Sequence, residues 1–195
     1  NSRNRVFVEN GDEVTIYPFD ESKVEDPSLI IYSPVKQVGS DIIVTNGDQT
    51  DTIEEYLQKG KCFRCALNTR TFEPDAPNYT PRISGILHLK KGGFTYEMSI
   101  LKSADGKGVK CNRFTFDYEP VNGVGHFIHT YEKDGNPLPT FEGEPERVAI
   151  PNDVNAFAEE IWQNLDENNK ISLYVRAVNL RTWQTESVLI NKFQK

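Results

Sequence analysis

The run Asn46-Gly47-Asp48-Gln49-Thr50-Asp51 gathers a turn dipeptide, two amides, two carboxylates and a hydroxyl within six residues. It follows the apolar run Ile42–Thr45 and leads into a helix-start pattern, with Thr50 or Asp51 as cap and Glu54 near the third helical position. A strand-to-helix junction of this kind leaves backbone N–H groups unpaired at the helix start. Those groups suit an anion or a developing oxyanion. Asn-Gly and Thr-Asp are equally good residues for a plain turn and cap, and read alone the segment favours that use.

Three other places carry chemically useful groups. In Thr80-Pro81-Arg82-Ile83 a proline stiffens the chain before an arginine, whose guanidinium fork matches phosphate or carboxylate. Tyr131-Glu132 puts a phenol beside a carboxylate at a strand end, suited to proton transfer or to orienting an amide. Arg3 and Arg5 flank Asn4 in a small cationic cluster. The plain alternatives are an edge-strand arginine, ordinary strand-end polarity and a solvated terminus.

Several chemistries are missing. The chain has no phosphate-binding G-x-x-x-x-G-K-[ST], no dinucleotide G-x-G-x-x-G, no G-x-S-x-G and no H-E-x-x-H. His126 and His129 lie three apart on an expected strand and so face opposite ways. No metal site is expected. Cys62 and Cys65 match C-x-x-C without a second pair, and with Cys111 they make an odd set, which fits a reducing, cytoplasmic setting. Their expected position is the inner face of a helix.

These groups must be held by something, and 195 residues with 37% hydrophobic and 26% charged content suffice for one domain, residues 1–195. A net charge of −7 argues against a nucleic-acid partner, though a few local cations can hold one phosphate. No apolar run is long enough for a membrane helix. The chain enters the strand-like Val6-Phe7-Val8 almost at once, so an upstream strand is expected before residue 1.

Strands are expected at Val6–Val8, Val14–Tyr17, Leu29–Tyr32 (buried on both faces), Val35–Val38, Ile42–Thr45, Ile83–Leu89, Phe94–Leu101, Phe114–Tyr118, Gly125–Tyr131, Ile171–Val178 and Ser187–Phe193. The spacing predicts helical structure over Asp51–Leu67, with Ile53, Tyr56, Leu57, Phe63 and Leu67 inward and a weak point at Gly60. A second helix is predicted over Val154–Leu165 behind Pro151-Asn152-Asp153. Thr140–Arg147 reads as loop. Few helices among many hairpin-linked strands predict an α+β fold with two largely antiparallel sheets packed together and helices outside.

Taken in order, Ser2-Arg3-Asn4-Arg5, Ile30-Ile31-Tyr32, the N-G-x-x-T-D-x-I signature at Asn46–Ile53, the T-P-R-I at Thr80–Ile83, and Thr130-Tyr131-Glu132 resemble the archaeal-type IMP cyclohydrolase family. The arginine motif is a compressed version of the family's. The resemblance covers about Ser2 to Glu132. It implies a four-layered αββα sandwich similar to N-terminal-nucleophile hydrolases, with two mainly antiparallel sheets between helices. The nucleophile of such hydrolases is Ser, Thr or Cys, and Asn1 is none of these.

The resemblance further implies closure of 5-formamidoimidazole-4-carboxamide ribotide to inosine monophosphate with loss of water. The partner is then a small purine ribotide, and neither metal nor redox cofactor is needed. The reacting groups already share one molecule, so the enzyme mainly holds the reactive rotamer. A donor to the formyl oxygen is worth roughly 10²–10³ in rate. On this reading Asn46, Asp51, Tyr32 and Glu132 carry the chemistry. Arg3, Arg5, Gly47, Thr50, Arg82 and Tyr131 bind substrate. A homo-oligomer is compatible with it. The rival readings are a non-catalytic purine-nucleotide-binding or regulatory protein on the same fold, and an amide hydrolase, which would need a freed Ser, Thr or Cys terminus.

Overall fold

The computed structural model describes residues 4–24 and 31–193. Its largest element is a seven-stranded antiparallel sheet in sequence order: β1 (Val6–Asn10), β2 (Glu13–Tyr17), β3 (Val35–Val38), β4 (Asp41–Thr45), β5 (Arg82–Lys90), β6 (Gly93–Ser103) and β7 (Cys111–Tyr118). Two helices, α1 (Gln49–Gln58) and α2 (Phe63–Leu67), interrupt the meander between β4 and β5. Two separate hairpins follow: β8 (Val124–Phe127) with β9 (Glu146–Ala149), and β10 (Ser172–Val178) with β11 (Thr185–Asn191). Helix α3 (Val154–Asn164) packs on β10 and β11.

Period-two alternation decides the layering, because neighbouring residues on a strand point to opposite faces. Ile43 and Ile86 are paired across β4 and β5 and face α1 and α2, forming one core with Ile53, Phe63, Ala66, Leu67 and Leu101. Their neighbours Ile42 and Leu87, also paired, face the other way. There they join Val14, Val35 and Leu89 against Tyr174, Val178 and Leu180 of the last hairpin. The molecule is therefore a mixed, mostly antiparallel sandwich. Its second β layer is two hairpins rather than the single broad sheet expected.

The expected weak point at Gly60 is a full break. Gly60 has φ +69°, the Gly60 N–H donates to Leu57 O, and the Lys61 N–H donates to Tyr56 O. This six-to-one and five-to-two pair of bonds is a Schellman ending, and glycine supplies the left-handed residue that it needs. The break resets the helical phase. Cys62 becomes the cap of α2, its Sγ accepting from Cys65 N–H at 3.2 Å, so Phe63, Ala66 and Leu67 turn inward. Cys62 and Cys65 are consequently exposed, contrary to the inner position expected.

Other expectations shift as well. The strand expected at Gly125–Tyr131 ends at Phe127, and Tyr131 makes an isolated bridge to Thr140. Glu146 and Arg147, expected as loop, belong to β9. Leu29 and Ile30 lie outside the described residues; Ile31 is exposed, and neither Ile31 nor Tyr32 belongs to a strand, so these two residues are not part of a strand buried on both faces. Helix α3 opens as expected, with the Asp153 carboxylate accepting from Ala156 N–H at 2.9 Å. No helix among the described residues is long and apolar enough to cross a membrane.

Candidate functional site

The end of β4, the start of α1 and the start of β5 meet at Asn46. Its Oδ1 accepts from the Ile83 N–H at 2.9 Å and from Gln49 Nε2 at 3.1 Å, while its Nδ2 donates to Pro81 O at 2.9 Å. The side chain is first a clamp between two strand ends, and one amide hydrogen is left uncommitted among the described residues. The Tyr32 hydroxyl donates to Asn46 O at 2.7 Å. Burial pushes the Tyr32 phenol above its ordinary pKa, with the adjacent Arg5 opposing that rise. Arg5 Nε is buried and makes no hydrogen bond among the described residues. Arg3 lies outside the described residues.

Arg82 sits beside this clamp with its side chain only 8% exposed. Its Nη1 donates to Asp48 Oδ1 at 2.5 Å and to Gln49 Oε1 at 2.8 Å, and its Nη2 donates to Glu73 Oε2 at 3.0 Å. The fork that the sequence offered to a phosphate is closed by two carboxylates and an amide. Asp48 also accepts from Arg70 at 2.6 Å. Burial works against its charge, but Arg70 and Arg82 overcome that and hold its carboxyl below the ordinary range.

Glu73 goes the other way. Burial raises its pKa, Arg82 only partly offsets this, and the like charges of Asp48 and Asp75 push it further up. Its backbone N–H is tied to Thr80 O at 2.9 Å, which holds the loop against the start of β5. Glu73 carries no signal along the chain, because its environment is made by Arg82 and Asp48 arriving from elsewhere. The charges of Arg82 and Glu73 both reach the Tyr32 phenol, and Glu73 also acts on Tyr131. Burial raises the Tyr131 phenol as well, and its hydroxyl bonds Thr80 Oγ1, which also bonds Asp75. A half-buried carboxylate of raised pKa is thus ion-paired to a guanidinium and within electrostatic reach of two phenols.

The remaining candidates fall outside this cluster. Thr50 is fully buried, with its hydroxyl against Thr45 Oγ1 at 2.6 Å and Gly47 O at 3.1 Å, so it braces the turn from beneath. Helix α1 begins at Gln49 with Asp48 as cap, earlier than expected. The N–H groups of Thr50 and Asp51 fold back onto Gly47 O and Asp48 O, which removes them from any outward anion site. Asp51 is exposed and pairs with Lys36 Nζ at 2.8 Å. The Glu132 carboxylate is exposed and accepts from the Glu142 N–H at 3.1 Å. Among the described residues, no group of three or more His, Cys, Asp or Glu is arranged to hold a metal.

Gly47 has a specific reason to be glycine. A Cβ there would stand 2.6 Å from Arg82 Nη1, 2.6 Å from Gln49 Oε1 and 2.8 Å from Glu73 Oε1. Gly47→Ala should therefore displace the ion cluster and cost about 1–3 kcal/mol, the range for overpacking a filled site. Urea denaturation of the variant and the parent measures this. An unchanged midpoint would show that the cluster yields without cost.

The family model described as IMP cyclohydrolase-like protein matches residues 1–182. This chain belongs to that family. Among curated relatives, the IMP cyclohydrolase of Methanococcus maripaludis strain S2 is 37% identical over 89 residues, and that of Methanocella arvoryzae is 35% identical over 89 residues. Each match covers 43% of this chain and 44% of the relative. The IMP cyclohydrolase of Haloquadratum walsbyi is 31% identical over 88 residues, 43% of this chain and 45% of that protein. The chain thus spans less than half the length of the curated relatives it matches. Within this IMP cyclohydrolase-like chain, Arg5 and Asn46 meet at Tyr32, and Tyr32, Arg82 and Tyr131 lie within electrostatic reach of Glu73, whereas Thr50 braces the turn and Asp51 and Glu132 are exposed elsewhere.

Proposed function

We propose that this chain is an IMP cyclohydrolase, closing 5-formamidoimidazole-4-carboxamide ribotide to inosine monophosphate with loss of water. The observation that carries the reading is the family match across residues 1–182, together with a half-buried carboxylate of raised pKa, Glu73, which is ion-paired to Arg82 beside the signature segment and acts electrostatically on the Tyr32 and Tyr131 phenols. A fold of helices α1 and α2, the large sheet, the β10–β11 hairpin and helix α3 in that order agrees with an αββα sandwich similar to N-terminal-nucleophile hydrolases.

The chemistry needs one proton moved from the carboxamide nitrogen to the formyl oxygen and a second moved from the formamide nitrogen to the resulting hydroxyl, which departs as water. Glu73, Tyr32 and Tyr131 are the groups whose environments suit that work, in place of Asp51 and Glu132. Arg5, with a buried Nε that makes no hydrogen bond among the described residues, is the cation available to the substrate. Arg82 serves as a positioning residue that holds Glu73 and Asp48. Asn46 retains one amide hydrogen for the formyl oxygen. The ribotide is a small-molecule partner, and a cytoplasmic setting and a homo-oligomer are compatible with the reading.

The test is a single cuvette containing purified protein and the formyl ribotide, followed at the absorbance of the hypoxanthine ring. Closure well above the spontaneous rate is expected. A rate equal to the spontaneous one, with the product still bound, would transfer the chain to the non-catalytic nucleotide-binding reading.

A further inference from the structure

On the sheet face opposite Arg82, a cavity of about 490 Å³ opens between β5–β6 and the β8–β9 hairpin. Its walls include Val44, Gly85, Leu87, Met98, Ile128 and Ile150. Val44 and Ile150 are 42% and 38% exposed, a large apolar exposure that the cavity accounts for. Its polar contributors include Asn46, Tyr96, His126 and the Glu97 carboxylate, and among the described residues no Lys or Arg lines it. An apolar hollow of this size with a few polar groups is the usual form of a small-molecule seat.

The His126 ring is fixed in place. It stacks on Tyr118 with centroids 3.7 Å apart and planes at 16°, and its Nδ1 lies 2.6 Å from the Tyr96 hydroxyl. Tyr96 in turn stacks on Tyr118 at 5.1 Å and on Phe94 at 5.9 Å. The Tyr96 hydroxyl and His126 Nδ1 share this hydrogen bond, and in the tautomer in which Tyr96 donates, the ring carries its hydrogen on Nε2. Nε2 makes no hydrogen bond among the described residues.

We infer that this cavity seats a planar nitrogen heterocycle, with the His126 ring as its aromatic wall and His126 Nε2–H as a donor to a ring or exocyclic acceptor. Flat rings gain from offset stacking on a preset aromatic surface. Among the described residues no Lys or Arg lines the hollow, so a nucleotide is expected to enter ring first with its phosphate outside. Asn46 lines the cavity and accepts the Tyr32 phenol on its carbonyl, which joins this seat to the Glu73 cluster. That the heterocycle is the purine of the product rests on the function proposed above. The seat itself does not.

Titration calorimetry of the wild-type chain with inosine and with inosine monophosphate should detect binding of both. His126→Ala should weaken both by roughly tenfold or more, the scale of losing one aromatic base stack. His126→Phe, which keeps the ring and loses Nε2, should recover most of that affinity. In the wild type itself, proton NMR should show cross-relaxation between the His126 ring protons and ligand H2 or H8, a result independent of how any variant folds. Inosine binding with no turnover of the formyl ribotide leaves this seat standing and removes the cyclohydrolase reading. Turnover with unchanged inosine affinity in His126→Ala, or bound ligand without cross-relaxation to His126, overturns the seat and leaves the activity untouched.

Discussion

Arg82→Ala should destabilise the chain by about 3 kcal/mol and abolish ring closure. Removing one partner from a buried ion pair leaves the other charges uncompensated, at a typical cost of 3–5 kcal/mol. The lower end applies because the Asp48 side chain is 50% exposed and can recover water, whereas Glu73 at 27% cannot fully do so. Arg82→Lys should recover only part of the loss. A single ammonium cannot serve Asp48, Gln49 and both oxygens of Glu73 as the planar fork does. Urea melts and single-turnover closure rates on the same preparations separate the two effects. Parent-like stability in Arg82→Ala would mean that the cluster is not held as described.

Glu73→Gln should leave the fold intact and lower kcat by roughly 10²–10⁴, the usual worth of a positioned acid–base group. The pH profile distinguishes this from a packing effect. Glu73 has a raised pKa, so in the parent the acid limb of kcat/KM lies above the ordinary carboxylate range, and in Glu73→Gln that limb disappears. The stability signs follow from the same shifts. A raised folded pKa means that the Glu73 contribution is full below the unfolded pKa and is lost as pH rises through the folded value. Asp48, with its pKa lowered, contributes above its unfolded pKa and loses that contribution as pH falls through its folded value. At neutral pH, therefore, Glu73→Gln should be no less stable than the parent, and Asp48→Asn should be less stable. A parent-shaped acid limb in Glu73→Gln would remove Glu73 from the chemistry.

Much of the framework can be read along the chain. Alternation in Ile83–Leu89 and Phe94–Leu101 corresponds to β5 and β6, and Ile53, Phe63 and Leu67 are buried as helical spacing required. These patterns are local: a residue's neighbours two, three or four positions away already state which side it faces. Gly60 likewise marks the helix break, although the consequence for Cys62 and Cys65 depends on the phase at which α2 restarts.

The site is legible only in its ingredients. Asn46, Arg82 and Tyr32 are marked as polar groups at strand ends, but their work depends on partners far along the chain. Asn46 bonds Pro81 and Ile83 across 35 and 37 positions, and Arg82 meets Asp48 across 34. Those pairings make the Asn46 amide a clamp between strand ends and close the Arg82 fork into an ion cluster. Glu73 is the clearest case. In sequence it is a carboxylate beside a proline in a polar loop, and its raised pKa arises chiefly because folding removes it from water and brings Asp48 near it. Composition and periodicity account for the layers, which arise from near neighbours and burial. The identities of donor, acceptor and proton carrier arise from distant residues meeting at low dielectric, and no local pattern encodes that meeting.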